Sequence, residues 1–393
     1  MNTIEKTNKY VMKSYGRLPL AIRSRGAHCA SAIAEGDKTY IDFGSGIGTN
    51  SLGYCDGDWV EAVCKQAQTL QHNSNNYYNK PGADFSASLC ETTGYTNLFF
   101  GNSGAEANEC AIKIARKYSF DKYGANSNRH TIITLKNSFH GRTLATLSAT
   151  GQEDMHNYFF PFVEGFVHSE ANNIADLKNK LDEDNSICAV MLEYIQGEGG
   201  VIVLEQDYVD EIFKLCAEKD VLVIADEVQT GAGRTGKFLA GEHYGKRADI
   251  TTMAKGIGGG LPLGICLAGE KCADVLTAGT HGSTYGGNPV VLAGAAVVLD
   301  KVSKPEFLAE VVKKGDYIRE KLSALDEVAA IDGKGLMLGI TLKTKQAKDV
   351  MLAALDKGLL TLTAKEKLRL LPPLTIDYES LDKGINILKE ILS

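Results

Sequence analysis

Six short runs of apolar and β-branched residues, at 97–100, 131–135, 187–192, 221–225, 249–253 and 264–268, mark the middle of this 393-residue chain. Most are apolar throughout rather than alternating, as strands covered on both faces are. Helical periodicity fills 104–118 and 207–219 between them. Strand–helix alternation of this kind predicts a mainly parallel central sheet with helices on both faces, an α/β fold. After Pro289 the pattern turns helical (289–303 and 305–325), passes through short strands around 335–342, and ends in helices at 345–357 and 379–392. That stretch reads as a smaller α+β unit. Residues 29–43 read as a hairpin turning at Glu35, Gly36, Asp37 and Lys38, and we group them with it. The expected organisation is an N-terminal segment 1–45 belonging to the small domain, a large domain 46–285 and a C-terminal small domain 286–393. No Pro- or Ser-rich linker separates them, so a cleft between tightly packed units is the expected site.

Composition narrows the partners. The net charge of −7 argues against a nucleic-acid or anionic-membrane binder. The nine cysteines form no CxxC pair and read as reduced thiols, which predicts a cytoplasmic protein. The first residues have no apolar signal core, and the apolar stretch 290–299 is half of the ~20 residues that span a bilayer.

Ligands of open parallel sheets gather beyond the C-terminal ends of strands, and four segments lie there. Gly101-Asn102-Ser103-Gly104-Ala105-Glu106 leads from a strand into a helix; it is either a plain capped helix start or an anion cradle. Asp226, with Glu227 beside it, ends an apolar strand, where an acid is a helix cap, a magnesium ligand or a partner for a buried cation. The chain has no Walker A sequence, which removes the nucleotide–magnesium option. Lys255 follows another strand and is bedded in glycines (Gly256, Gly258, Gly259, Gly260). It is a surface-loop lysine or, with its pKa lowered by burial, an amine able to condense with an aldehyde. Ser138-Phe139-His140-Gly141-Arg142-Thr143 sets an aromatic ring and an arginine beside a glycine. His140 has no metal-ligand partners at suitable spacing and reads as a packing histidine; no metal site is expected. Gly231-Ala232-Gly233-Arg234-Thr235-Gly236 matches the GxGxxG dinucleotide fingerprint, yet it starts well past its strand and no helix pattern opens behind it. An NAD oxidoreductase is therefore the outside alternative.

An anion cradle, a strand-end acid and a glycine-bedded lysine together are what pyridoxal 5′-phosphate requires: a phosphate site, a carboxylate for the ring nitrogen and an amine for the aldehyde. The segments GNSGAEANE (101–109), SFHGRT (138–143), QGEGG (196–200), ADEVQTGAGRTG (225–236), AKGIGGGLPLG (254–264) and GSTYGGNP (282–289) resemble those of class III aminotransferases, fold type I enzymes, over nearly the whole chain. The resemblance implies that Lys255 joins the cofactor covalently and that Asp226 keeps its ring nitrogen protonated. It places Gln229 near the ring oxygen, with Phe139 and Val228 on opposite ring faces. Ser103, Gly104 and Ala105 match the phosphate loop, and Thr284 a threonine reaching the phosphate from a second subunit, which implies a homodimer with shared sites. Arg142 matches the arginine for the substrate α-carboxylate, Ser283 a residue beside the substrate, and Glu198 with Arg369 a gate pair.

Within that family the resemblance is nearest to the acetylornithine branch. It implies transfer of the terminal amino group between N2-acetyl-L-ornithine and 2-oxoglutarate, as in arginine biosynthesis. Succinyl-diaminopimelate, 4-aminobutyrate and ornithine are the alternative donors. Ile47 stands where ornithine-specific members have a tyrosine, Ala254 where the decarboxylase group has a histidine, Tyr194 in place of a common proline and Tyr54 in place of a common histidine.

Overall fold

The computed structural model describes residues 1–23 and 30–393. Its centre is a seven-stranded sheet in the order Asn97–Gly101, Gly264–Ala268, Ile250–Met253, Leu222–Asp226, Ile187–Leu192, Thr131–Leu135, Phe166–Ser169. Gly264–Ala268 runs antiparallel to both neighbours, and every other neighbouring pair is parallel. The six expected strands are all present, within a residue or so of their expected bounds. Phe166–Ser169 escaped the reading because it is an edge strand whose first three residues are only half-buried. The interior strands Thr131–Leu135, Ile187–Leu192 and Leu222–Asp226 are buried at every position, which is why they carry no alternation.

Helix Gly104–Tyr123 covers one face of the sheet and packs its stripe of Ala107, Ala111, Ile114 and Ala115 against it. Helices Ile174–Glu183 and Gln206–Lys219 cover the other through Leu177, Leu181, Val209 and Ile212. Two further helices, Gly57–Thr69 and Lys80–Thr93, lie in a region the reading left blank. Each is capped at its N-terminus by a side-chain oxygen, Asp56 and Asn79 respectively.

Beyond Pro289 the chain forms helices Pro289–Val302, Pro305–Ser323, Ala347–Asp356 and Tyr378–Leu392 around an antiparallel sheet ordered Val328–Lys334, Met337–Leu342, Lys367–Leu370, Leu362–Ala364. Ser31–Ile33 and Thr39–Asp42 pair as an antiparallel hairpin, and Leu359–Leu360 adds to it in parallel. The N-terminal hairpin is thus stitched to the C-terminal part of the chain; residue 29, at the start of the expected hairpin, lies outside the described residues. One apolar cluster runs from Phe43 and Leu89 through Met253 and Leu292 to Leu388, joining residues from the N-terminal hairpin, the central sheet and the C-terminal helices. Among the described residues no helix is long and apolar enough to cross a membrane.

Candidate active site

The parallel strands Leu222–Asp226 and Ile250–Met253 set Asp226 level with Thr252, and both chains leave the sheet at the same end. Asp226 is buried and receives three hydrogen bonds. Oδ1 accepts the Val228 N–H at 3.0 Å. Oδ2 accepts Asn108 Nδ2 at 2.7 Å and lies 2.8 Å from His140 Nδ1. Donors on both oxygens fix the plane of the carboxyl group. Three residues past the level of Asp226, Lys255 emerges with a left-handed backbone, φ +46°. Burial lowers its amine pKa below the ordinary 10.5, against the opposing pull of Glu198 and Asp226.

Across the site, helix Gly104–Tyr123 begins at Ser103, whose Oγ accepts the Glu106 N–H at 3.2 Å. The backbone at Gly104 passes so close to Val228 that a Cβ there would lie 2.7 Å from Val228 Cγ1. Small residues at this helix start leave its N–H groups accessible, a cradle for a phosphate. Ser103, Gly104, Ala105, Phe139, Arg142, Asp226, Val228, Gln229 and Lys255 all line one cavity of about 500 Å³. Phe139 is held by its own N–H, which donates to Glu193 Oε2 at 2.9 Å, and the Arg142 guanidinium lies 5.6 Å from its ring centre.

Glu198 and Arg369 are joined to this cavity through Gln229. Arg369 is buried in the middle of strand Lys367–Leu370, paired on one side with Gly339 and on the other with Leu362. Its Nη1 and Nη2 meet Glu198 Oε1 and Oε2 at 2.6 and 3.2 Å. Gln229 donates to Glu198 at 3.2 Å and accepts from Arg369 at 3.1 Å. The pair is closed. Burial alone would raise the Glu198 carboxyl, but Arg369 outweighs it and holds the pKa below the ordinary value.

Some sequence-marked residues fall outside. Ser283 and Thr284 line a different cavity with His72, Phe99 and Phe100; only the Ser283 hydroxyl, 3.0 Å from Asn102 Nδ2, touches the rim of the Lys255 cavity. Ile47 lines a third cavity beside Tyr54, whose hydroxyl donates to Asp42 at 2.8 Å. Tyr194 is buried and stacked on Tyr244, while Ala254 does line the Lys255 cavity. The GxGxxG segment opens no helix. Its Arg234 is buried and donates to the carbonyls of Leu336 and Pro372 at 3.0 and 2.6 Å, tying two distant segments together.

Four residues at the site escaped the reading. His140, taken for a packing residue, is buried against Asp226. Asn108, Thr252 and Glu193 lie within or beside the segments singled out but were given no role there. Burial, with Asp226 adding to it, pushes the Glu193 carboxyl well above the usual range. Only Asn108 left a trace in the sequence: it shares a helix face with Ala111 and Ala115, where a polar side chain is out of place. Among the described residues no group of His, Cys, Asp and Glu could hold a metal ion.

A sequence model of the family described as aminotransferase class-III matches residues 11–392. The chain belongs to that family. As a class-III aminotransferase it is 49% identical over 385 residues to the acetylornithine aminotransferase of Haemophilus ducreyi, with 98% of this chain and 96% of that one covered. It is 46% identical to the acetylornithine aminotransferase of Caldanaerobacter subterraneus, covering 100% and 99%. Among solved structures, the ornithine aminotransferase of Toxoplasma gondii superposes with a TM-score of 0.92 at 30% identity, covering 98% of this chain and 93% of that one. The same enzyme has been crystallised with partial occupancy of PLP at its active site. The N-acetylornithine aminotransferase of Stenotrophomonas maltophilia gives a TM-score of 0.85 at 32% identity, covering 98% and 97%.

Proposed function

We propose that this aminotransferase uses pyridoxal 5′-phosphate to move the terminal amino group of N2-acetyl-L-ornithine to 2-oxoglutarate, giving N-acetyl-L-glutamate 5-semialdehyde and L-glutamate. One observation carries the reading: Lys255, the Asp226 carboxylate and the Ser103–Ala105 helix start meet in one cavity, with the Glu198–Arg369 pair at its Gln229 side. The choice of donor rests on relatives at 39–49% identity that are named for acetylornithine.

The residues suit the cofactor. The cradle at Gly104, which a Cβ would fill, would take a phosphate; Asp226, oriented by donors on both oxygens, would face the ring nitrogen; and Lys255 would be the amine. Bound there, pyridoxal phosphate supplies an aldehyde for amines and a ring that draws electrons from the carbon bearing them. Phe139 and Val228 would confine the ring from its two faces, and Gln229 would serve its oxygen, all three lining the cavity. Lys255, its pKa already lowered, takes a proton from the carbon that bears the donor's terminal nitrogen, a role worth ~10²–10⁴-fold in rate. Arg142 receives the α-carboxylate of the substrate. Arg369, when Glu198 swings away, receives the second carboxylate of glutamate or 2-oxoglutarate, so one pocket serves a neutral acyl tail and a charged one. Thr284, which lies outside the Lys255 cavity of its own chain, would reach the phosphate of a second copy, and we infer a homodimer in the cytoplasm, built from a large unit 46–285 and a small one formed by 1–45 and 286–393.

The test is the visible spectrum of the purified protein before and after N-acetylornithine is added without any keto acid. Bleaching of the cofactor band supports cofactor and donor together. A band that cannot be reconstituted with pyridoxal phosphate refutes the reading; a band that responds to ornithine or 4-aminobutyrate instead replaces the donor.

A further inference from the structure

Asn108 makes three hydrogen bonds to three different parts of the site, and no solvent reaches it: it is 1% exposed. Its Nδ2 donates to Asp226 Oδ2 at 2.7 Å and to the His140 carbonyl at 2.7 Å. Its Oδ1 accepts from Thr252 Oγ1 at 2.7 Å. Those partners belong to the strand that carries Asp226, the loop that carries Phe139 and Arg142, and the strand that leads into Lys255. Asn108 itself stands one turn into the helix whose start is the anion cradle. All of the donor and acceptor capacity that faces inward is used, so the amide can sit in only one orientation.

We propose that Asn108 is a positioning residue for the reaction: it fixes the Asp226 carboxylate relative to the anion cradle, the Phe139 loop and the Lys255 strand, and Thr252 anchors the far end of its amide. This rests on the functional reading above, in which Asp226 holds a ring nitrogen. Without the Thr252 hydroxyl, the buried Oδ1 has no donor, and the amide is held only through its Nδ2 bonds to Asp226 and the His140 carbonyl. Without the Asn108 side chain, Asp226 Oδ2 keeps only His140 Nδ1, and the His140 carbonyl loses a donor. Three other ionisable groups act on Asp226 from the surrounding elements: His140 at 2.8 Å, the buried carboxyl of Glu193, and Lys255. None of them can replace a neutral donor that is aligned by its own acceptor.

The experiment compares the cofactor-loaded wild type with Asn108→Ala, Thr252→Val and Thr252→Ser. The isosteric Thr252→Val leaves the packing intact, so it tests the proposal even where Asn108→Ala folds poorly. Two measurements are made: kcat and KM for each half-reaction, and the pH at which the visible band of the bound cofactor interconverts. In Asn108→Ala kcat falls about tenfold, as expected for loss of a hydrogen bond to a carboxylate; in Thr252→Val, which removes a bond between neutral groups, it falls about fivefold; and KM changes less than twofold in both. The spectral midpoint moves upward in both, because a less firmly held ring proton leaves less positive charge beside the Lys255 nitrogen. Thr252→Ser, which keeps the hydroxyl, restores both readouts. An unchanged midpoint and kcat in both disruptive variants overturns the proposal, as does a Thr252→Ser that behaves like Thr252→Val. A wild type that binds no pyridoxal phosphate refutes instead the functional reading on which the proposal stands.

Discussion

Removing Glu198 should shift the pocket's preference from N-acetylornithine toward glutamate. In Glu198→Ala the Arg369 guanidinium keeps one neutral acceptor, Gln229 at 3.1 Å, and loses both carboxylate contacts. The partners differ in exposure: the Arg369 side chain is 3% exposed and that of Glu198 is 26%. Exposed pairs contribute ~0–1 kcal/mol and breaking fully buried ones costs ~3–5 kcal/mol, so a half-buried pair falls between, at about 2 kcal/mol. That unmet charge works against a donor with a neutral acyl tail and in favour of glutamate, whose second carboxylate can satisfy it. At ~1.4 kcal/mol per tenfold, kcat/KM for N-acetylornithine relative to glutamate should drop by ~30-fold. The assay is single-turnover bleaching of the cofactor band with each amine in turn, on wild type, Glu198→Ala and Glu198→Gln. Glu198→Gln keeps a hydrogen-bond acceptor without the charge and should lie between the other two. A ratio that stays within twofold of wild type in Glu198→Ala would refute the gate, since Arg369 would then not be sensing the substrate's tail.

Four other outcomes are expected. Lys255→Ala should abolish steady-state turnover and still retain cofactor through the phosphate cradle, measured by cofactor absorbance after gel filtration; residual turnover above a thousandth of wild type would remove Lys255 from its role. Gly104→Ala, whose Cβ would sit 2.7 Å from Val228 Cγ1, should weaken cofactor affinity about tenfold through displacement of both walls of the cradle, and an unaltered dissociation constant would show the cradle to be slack. Reaction of the cofactor-free protein with pyridoxal phosphate needs the neutral amine, so its rate should rise with pH and level off below 10.5; a rate still climbing there contradicts the lowered Lys255 pKa. The Glu198 carboxyl is depressed from 4.5, so its contribution to stability is complete above that pH and is lost as the pH falls through the lower folded value. Acid unfolding of Glu198→Gln should therefore be less steep below pH 4.5 than that of wild type, as followed by circular dichroism.

The strands were legible because burial on both faces writes an unbroken apolar run, and the edge strand Phe166–Ser169 was missed because it is wet on one side. The antiparallel turn of Gly264–Ala268 left no mark, since direction does not alter which residues an interior strand needs. Lys255 and Asp226 could be marked as strand-end oddities, a lysine among glycines and an acid after an apolar run. The residues that hold them could not. His140 meets Asp226 across 86 positions and Thr252 meets Asn108 across 144, separations no local pattern encodes. The GxGxxG segment, set aside as a dinucleotide fingerprint, serves the fold: Gly233 and Gly236 take positive φ angles in a chain of turns, and Arg234 turns inward to the carbonyls of Leu336 and Pro372.

The left-handed backbone at Lys255 sets the lysine against the fold that presents it. A residue with a Cβ at φ +46° carries about 1 kcal/mol of strain that glycine would not. The most favourable substitution for bare folding at this position is therefore one that ends catalysis. A search for heat-tolerant variants scored on folding alone will drift toward glycine at 255, whereas the same search scored on retained cofactor colour will hold the lysine in place if it bears the cofactor as proposed.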